Sequence, residues 1–176
     1  METLTIFIIS FLIVAVPVIL FLIPWAFGAP FQPTSEKQLK NILFLSKVKK
    51  GDKVADLGSG DGRIVVEFAK KGAEAHGYEI NPFLVFLSRR KIKKLGLQKK
   101  AFIHWKNFWK ENLGKYGLIT LFQVSYVMKK LGEKLEKEAK KKIRVVSHFW
   151  KFPQWKEKKT KGDVFYYEIQ KERKFR

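Results

Sequence analysis

The chain has 176 residues, 36 Lys and Arg against 16 Asp and Glu for a net charge of +20, and no cysteine. With an apolar N-terminal stretch set aside, that leaves material for one compact domain of about 140 residues and no separate substrate-recognition domain. Disulfides, thiolate zinc sites and a cysteine nucleophile are excluded, and the scattered His76, His104 and His148 lack the close spacing of a metal site, so a metal-independent reaction is expected.

Residues 4 to 27 carry no charge, and at about 1.5 Å per residue they can cross a hydrocarbon core of about 30 Å. Residues 1–29 are therefore expected to form an N-terminal transmembrane anchor, with residues 30–176 as the domain it carries. Pro17 and Pro24 would bend or end the helix, and Trp25, Phe27 and Phe31 suit an interfacial aromatic belt. The alternative is a cleaved signal peptide ending at Ala26-Phe27-Gly28. Its basic leading region is missing and the apolar run is too long for it.

No Lys or Arg occurs before Lys37, after which Lys40, Lys47, Lys49 and Lys50 follow quickly. The positive-inside rule then puts the N-terminus outside and the domain in the cytoplasm, or facing the mitochondrial matrix if the host is a eukaryote. The excess charge points to an anionic partner, for which the membrane surface is nearest to a tethered domain. Solvated lysine-rich faces would give the same composition. Clustered Arg with interleaved aromatics is absent apart from Arg89-Arg90, so nucleic acid is not an expected partner.

Beyond the apolar stretch, residues 34–48 read as an amphipathic helix capped by Thr34 or Ser35, burying Leu39, Ile42, Leu43, Leu45 and Val48. A strand over Val54 to Leu57, a helix over 63–71, a strand over Ala75 to Ile80 and a helix over 82–95 follow. That last helix opens on Asn81-Pro82 and stops at Gly96. Strands are expected at Ala101 to Trp105, Leu118 to Val124, Ile143 to Phe149 and Val164 to Ile169. A helix at about 127–141 carries Met128, Leu131, Leu135 and Ala139 on its core face, and Lys156 to Gly162 reads as an exposed basic loop. Such alternation predicts an α/β fold, a parallel Rossmann-like sheet with helices on both faces. Ligands bind such sheets at the carboxyl ends of the strands. Asp56, Glu79, Asn107, Val124 and His148 all fall at or just after such ends.

The run Val54-Ala-Asp-Leu-Gly-Ser-Gly-Asp-Gly-Arg63 ends an apolar strand in an acid, then turns through Gly58, Gly60 and Gly62. Missing side chains there let backbone press against a ligand. Glu79, at the end of the next strand, stands where a carboxylate can take both hydroxyls of a ribose. The dinucleotide fingerprint G-x-G-x-x-G is the nearest competitor. Here the third glycine falls one residue early, and Asp56 would repel a pyrophosphate while welcoming a cationic aminoacyl sulfonium. The pattern resembles the S-adenosylmethionine site of class I methyltransferases.

Several blocks narrow the resemblance: Pro30-Phe-Gln-Pro-Thr34, Asp56 to Val65, Tyr78-Glu-Ile-Asn-Pro-Phe-Leu-Val85, Lys106-Asn-Phe-Trp109, and Arg144-Val-Val-Ser-His148 leading to Phe152-Pro-Gln-Trp155. Over about residues 30 to 169 the chain resembles the FAM173 family, single-pass membrane lysine N-methyltransferases of the mitochondrial inner membrane with prokaryotic relatives, which modify integral membrane proteins. The resemblance implies that Asp56, Gly58, Ser59, Gly60 and Gly62 hold the methionine part of the donor. It assigns Glu79 to the ribose and Asn107 with Phe108 to the adenine, with Pro33 and Thr34 closing over the site. Asn107 stands where relatives have Asp, and Ser125 where many have proline.

The implied reaction is in-line transfer of a methyl group to a lysine amine, on a lysine-bearing membrane protein. Alignment does most of the work. The amine, with a solution pKa of about 10.4, must first lose its proton, which an apolar aromatic channel favours. Tyr126, Phe149, Trp150, Phe152 and Trp155 are candidates for that channel, with Tyr126 and His148 as candidate catalytic groups. The segment Gln123-Val-Ser-Tyr126 lacks the prolines of an adenine-gripping Asn-Pro-Pro-Tyr. A membrane-associated lipid-headgroup or small-molecule methyltransferase, an RNA methyltransferase and a noncatalytic donor-binding module are the alternatives.

Overall fold

The structure is a computed structural model describing residues 2–27 and 32–170, with side chains placed over 3–19 and 32–170. The expected interfacial aromatics Trp25, Phe27 and Phe31 lie outside the described side chains. Helix α1 spans Glu2–Phe27. Among the described residues no helix is long and apolar enough to cross a membrane. The described side chains of α1 stop at residue 19, so the span over residues 1–29 rests on the sequence alone.

The domain follows the predicted alternation. Helix α2 (Glu36–Ser46) is capped by Ser35, whose side chain accepts from the Gln38 N–H. Strand β1 (Lys53–Leu57), helix α3 (Arg63–Lys70), strand β2 (Glu74–Glu79) and helix α4 (Pro82–Lys94) come next. The Asn81 side chain accepts from the N–H groups of Phe83 and Leu84, and Pro82 supplies the preset φ of a first helical turn. Strand β3 (Ala101–Trp105) leads through two 3-10 turns, Phe108–Lys110 and Leu113–Lys115, to strand β4 (Leu118–Leu121), helix α5 (Ser125–Glu138) and strand β5 (Ile143–His148). The chain closes with β6 (Lys159–Lys161) and β7 (Val164–Ile169).

These strands form one sheet in the order β3-β2-β1-β4-β5-β7-β6. The sheet is mixed, which corrects the all-parallel expectation: β1 to β5 are parallel, whereas β7 runs antiparallel to both β5 and β6. A parallel neighbour needs a crossover, usually a helix. Residues 149–163 contain none, so the chain turns straight back. The expected basic loop 156–162 holds β6, an edge strand with all three residues exposed and hence no apolar alternation to announce it.

Each face has its own core. One gathers Ile42, Leu45, Val65, Phe68 and Ile92 from α2, α3 and α4 against Val54 and Leu118. The other gathers Met128, Leu131, Leu135 and Ala139 from α5 and its end against Ala55, Leu57 and Ile119. Strand alternation sends successive residues of β1 and β4 to opposite faces. Chain order reverses between β1 and β4, and the crevice at their carboxyl ends is the candidate site.

Candidate functional site

A cleft of about 290 Å³ opens at that point. Asp56 lies in the central layer, in register with Gly77 on β2 and Thr120 on β4. It is buried, and its Oδ1 accepts from the Thr120 hydroxyl at 2.8 Å. Burial pushes its pKa up to about 7, with nearby Glu79 and Asp61 adding to the rise and the Thr120 hydrogen bond opposing it. A carboxylate so placed awaits a positive charge.

The glycine loop passes beside it. Gly58, Gly60 and Gly62 all have positive φ, the region that other residues enter only under strain. A Cβ on Gly58 would lie 2.7 Å from Nε2 of Gln123, which donates to the Leu57 carbonyl at 2.9 Å. Gly62 serves the fold instead of the cleft. It precedes the first turn of α3, its missing Cβ makes room for Ser88, and it does not line the cavity.

Glu79 ends β2 and is buried. Its Oε1 accepts from the N–H groups of Ile80 and Asn81, and its Oε2 from that of Gly60 at 2.9 Å. One lone-pair direction on Oε2 is left for a ligand hydroxyl, so a second hydroxyl would share Oε1. The loop and Glu79 are thus fastened to each other.

Thr34 lines the cleft with Gln32 and Pro33, and this pre-core segment is pinned from inside. Arg63 donates to the Thr34 carbonyl at 2.6 Å and to both carboxylate oxygens of Asp61, which also receives Lys91. Partial burial alone would raise the Asp61 pKa, but these hydrogen bonds bring it down to about 2. Ser59 and Gly60 line the cleft too, and the Ser59 hydroxyl, packed against Gly77, has no hydrogen-bond partner among the described residues.

Asn107 and buried Phe108 line the far end with Ile80, Leu84 and Lys106. Asn107 Oδ1 caps the short turn by accepting from the Trp109 N–H, which commits one of its lone pairs to structure. The opposite wall is aromatic. Of five candidate channel residues, Phe149 and Trp150 line the cleft, joined by Phe122, whose position just past β4 sequence reading did not single out. Phe149 has a φ of 71°, uncommon for a non-glycine residue, and is held there by its N–H bond to the Asp163 carbonyl. Such strain is concentrated at functional sites.

Three expectations are corrected. Phe152 is fully buried and Trp155 packs on it at 4.1 Å between ring centroids, both against Tyr167 in the α5-side core, because the chain turns inward after Lys151. Tyr126 stands exposed in the first turn of α5, outside the cavity lining. His148 is buried against Phe122 at 4.2 Å, does not line the cleft, and has an Nδ1 without a hydrogen-bond partner among the described residues. Burial lowers its pKa and keeps the ring neutral.

His76 and His104 are not scattered either. The parallel pairing of β2 with β3 sets His76 Nδ1 2.9 Å from His104 Nε2, with Glu74 on the other His76 nitrogen. Among the described residues there is no group of three or more ligands able to hold a metal ion. The residues present in the cleft fit a nucleoside carrying a cationic amino-acid tail. They set a desolvated acid beside a backbone cradle that a Cβ would fill, then an anchored carboxylate, then an apolar end. A pyrophosphate would meet Asp56, Asp61 and Glu79 together.

Residues 56–159 match the ANTKMT methyltransferase domain. The chain is 39% identical over 126 residues to the human ATP synthase C-subunit lysine N-methyltransferase, covering 72% of this chain and 54% of that protein. It is 37% identical over 133 residues to a protein-lysine N-methyltransferase of Saccharolobus islandicus, covering 74% of this chain and 83% of that one. An RNA methyltransferase from Salinibacter ruber, solved with S-adenosyl-L-homocysteine, superposes with a TM-score of 0.76 at 30% identity over 80% of this chain and 95% of that one. The chain spans about half the length of the vertebrate relatives it matches. With its class I Rossmann-like fold and its cleft at the β1–β4 switch, the chain belongs to the ANTKMT methyltransferase domain family.

Proposed function

We propose that the protein is an S-adenosylmethionine-dependent protein-lysine N-methyltransferase acting on a membrane protein. The observation that carries this reading is the order of groups along the cleft: Asn107 and Phe108 past β3, Glu79, the glycine loop and Asp56 at the ends of β2 and β1, and an aromatic wall of Phe122, Phe149 and Trp150 past β4 and β5. S-adenosylmethionine supplies an electrophilic methyl on a sulfonium. Asp56 would neutralise the positive amino-acid end, Glu79 would accept from a ribose hydroxyl, and Ile80, Leu84, Asn107 and Phe108 would hold the base. The aromatic wall desolvates the incoming lysine ammonium and so favours loss of its proton to water. Its π faces hold the charged methylated product. The neutral amine's lone pair would form the new C–N bond as the C–S bond breaks, leaving a methylammonium and a neutral thioether, and alignment by the cleft would supply the acceleration.

The anchor and its topology belong to the same proposal. The uncharged run over residues 4–27 and the lysines that begin at Lys37 support a single span with the N-terminus outside and the domain cytoplasmic, or matrix-facing in a eukaryote. The name of the human relative supports a membrane protein as substrate. A second reading, RNA methylation, is favoured by the Salinibacter likeness and the net charge of +20.

The test incubates detergent-solubilised protein, with Glu79→Ala as control, with radiolabelled S-adenosylmethionine and membranes and RNA of its own host. Label on a lysine of a membrane protein, lost with the variant, is expected. Label in RNA or lipid refutes the lysine reading.

A further inference from the structure

The exposed aromatics of the domain are not evenly spread. Phe83 and Phe86 in the first two turns of α4, Trp105 ending β3, Tyr126 opening α5, and Phe149 and Trp150 just past β5 all stand at the carboxyl-end rim of the sheet, around the mouth of the cleft. Phe83 is 58% exposed, Trp105 62%, Tyr126 73% and Phe149 54%. Phe44 on α2 is roofed by the Lys161 ammonium at 3.9 Å, and Leu95, just past α4, lies at the opposite end of that helix from Phe83. Exposed cations accompany the ring: Arg90, Lys106, Lys129 and Lys151. Amphipathic rings interleaved with long basic side chains suit the headgroup layer of an anionic bilayer.

Chain length points the same way. Helix α1 ends at Phe27, and Gln32 already lines the cleft. Five residue steps reach at most about 18 Å. If α1 is the anchor proposed above, the lip of the cleft is tied to within that distance of the point where the helix leaves the membrane.

We infer that this aromatic rim seats on the headgroup layer of an anionic bilayer, so that the cleft opens towards the membrane and takes lysines that lie at headgroup depth on an integral membrane protein. The inference rests on the anchor reading. It assigns specificity to depth as well as to local sequence: a lysine on a long soluble loop is presented to the wrong side of the domain.

The lack of native cysteine makes the test direct. Full chains carrying one spin-labelled cysteine, Phe86→Cys, Tyr126→Cys or Leu95→Cys, are reconstituted into vesicles of two parts phosphatidylcholine to about one part phosphatidylserine. None of the three positions lines the cleft, so each labelled chain should keep its affinity for S-adenosylmethionine, which certifies its fold. Phe86 and Tyr126 flank the mouth on either side. Leu95 lies nine helical positions from Phe86, roughly 14 Å along α4.

The expected result is collision with a water-soluble nickel relaxant reduced roughly fivefold at Phe86 and Tyr126 but not at Leu95. Three equally aqueous labels on a chain that floats with the vesicles overturn the rim and leave the anchor standing. Protection of Leu95 to the same degree also overturns it. A chain that does not float overturns anchor and rim together, and retained cofactor affinity in that case leaves the methyltransferase reading intact.

Discussion

Asp56 gives the cofactor site a dependence on pH that can be worked out in advance. Its carboxyl is desolvated in the free protein, with Glu79 and Asp61 nearby, and titrates at about 7. A cationic ligand favours the ionised form, so binding must remove the proton. Ionisation is about 90% complete one pH unit above that value and about 10% one unit below it. Affinity for S-adenosylmethionine should therefore fall about tenfold from pH 8 to pH 6, or about 1.4 kcal/mol. Near pH 7 about half a proton should be released per cofactor bound. The assay is titration calorimetry at several pH values in two buffers of different ionisation enthalpy. The cofactor's own α-amino group, with a pKa of about 7.7–8.0, loses charge at the top of the window. Asp56→Asn is therefore the reference, since it keeps that contribution and loses the one from Asp56. Thr120→Val removes the hydrogen bond that opposes the shift and should move the break in the profile to higher pH. A wild-type profile that is flat between pH 6 and 8, or that matches Asp56→Asn, refutes the reasoning.

The same carboxyl burdens the ligand-free fold. Its folded pKa lies above the unfolded one, so its stabilising share is complete below about pH 4 and is lost as pH rises through 7. Asp56→Asn should then melt higher than wild type at pH 8, by as much as about 4 kcal/mol, and match it near pH 4. Gly58→Ala should weaken cofactor binding at least tenfold by isothermal titration, since its Cβ would strike Gln123 and its φ is 79°. Arg63→Ala frees the segment over the cleft and should raise the cofactor Kd by roughly fivefold to tenfold, without full rescue by Arg63→Lys, because only the planar guanidinium fork reaches both Asp61 oxygens and the Thr34 carbonyl from three separate nitrogens. Phe149→Gly should leave thermal stability unchanged or raised, since relief of positive φ returns about 1–2 kcal/mol. Steady-state kinetics should nevertheless show kcat/KM for the lysine substrate at least tenfold lower with cofactor Kd unchanged.

The cofactor end of the site was legible because its requirements are local. A strand ending in an acid, glycines at alternate positions and a second strand ending in Glu79 declare themselves over 24 residues of continuous chain from Asp56 to Glu79. The Asn81-Pro82 cap and the Met128, Leu131, Leu135 face are local signals of the same kind. The substrate end was read less well. Phe149 and Trp150 are separated from Phe152 by one residue, and nothing in composition says that the chain dives inward between them. Phe122 belongs to the wall because β4 stops at Leu121, earlier than its apolar run implies. Arg63 closes the glycine run without announcing a role, and its partner at Thr34 is visible only once the fold has closed.

The histidine pair on β2 and β3 has a consequence for how the sheet responds to acid. Glu74, as a carboxylate, can only accept, so His76 Nε2 carries the proton and His76 Nδ1 must accept from His104 Nε2. The relay runs from His104 on the edge strand to His76 and on to Glu74, which also receives the Lys53 ammonium. A second proton on His104 lands on Nδ1 and leaves the link whole but charged, whereas one on His76 Nδ1 reverses it, His104 Nε2 then accepting with its own proton on Nδ1. Burial lowers both pKa values below the ordinary histidine range. The contribution of the pair is therefore complete above about pH 6.5 and drains away as pH falls. As pH falls, the seam between β2, which ends in Glu79, and β3, which leads to Asn107, therefore loses stability.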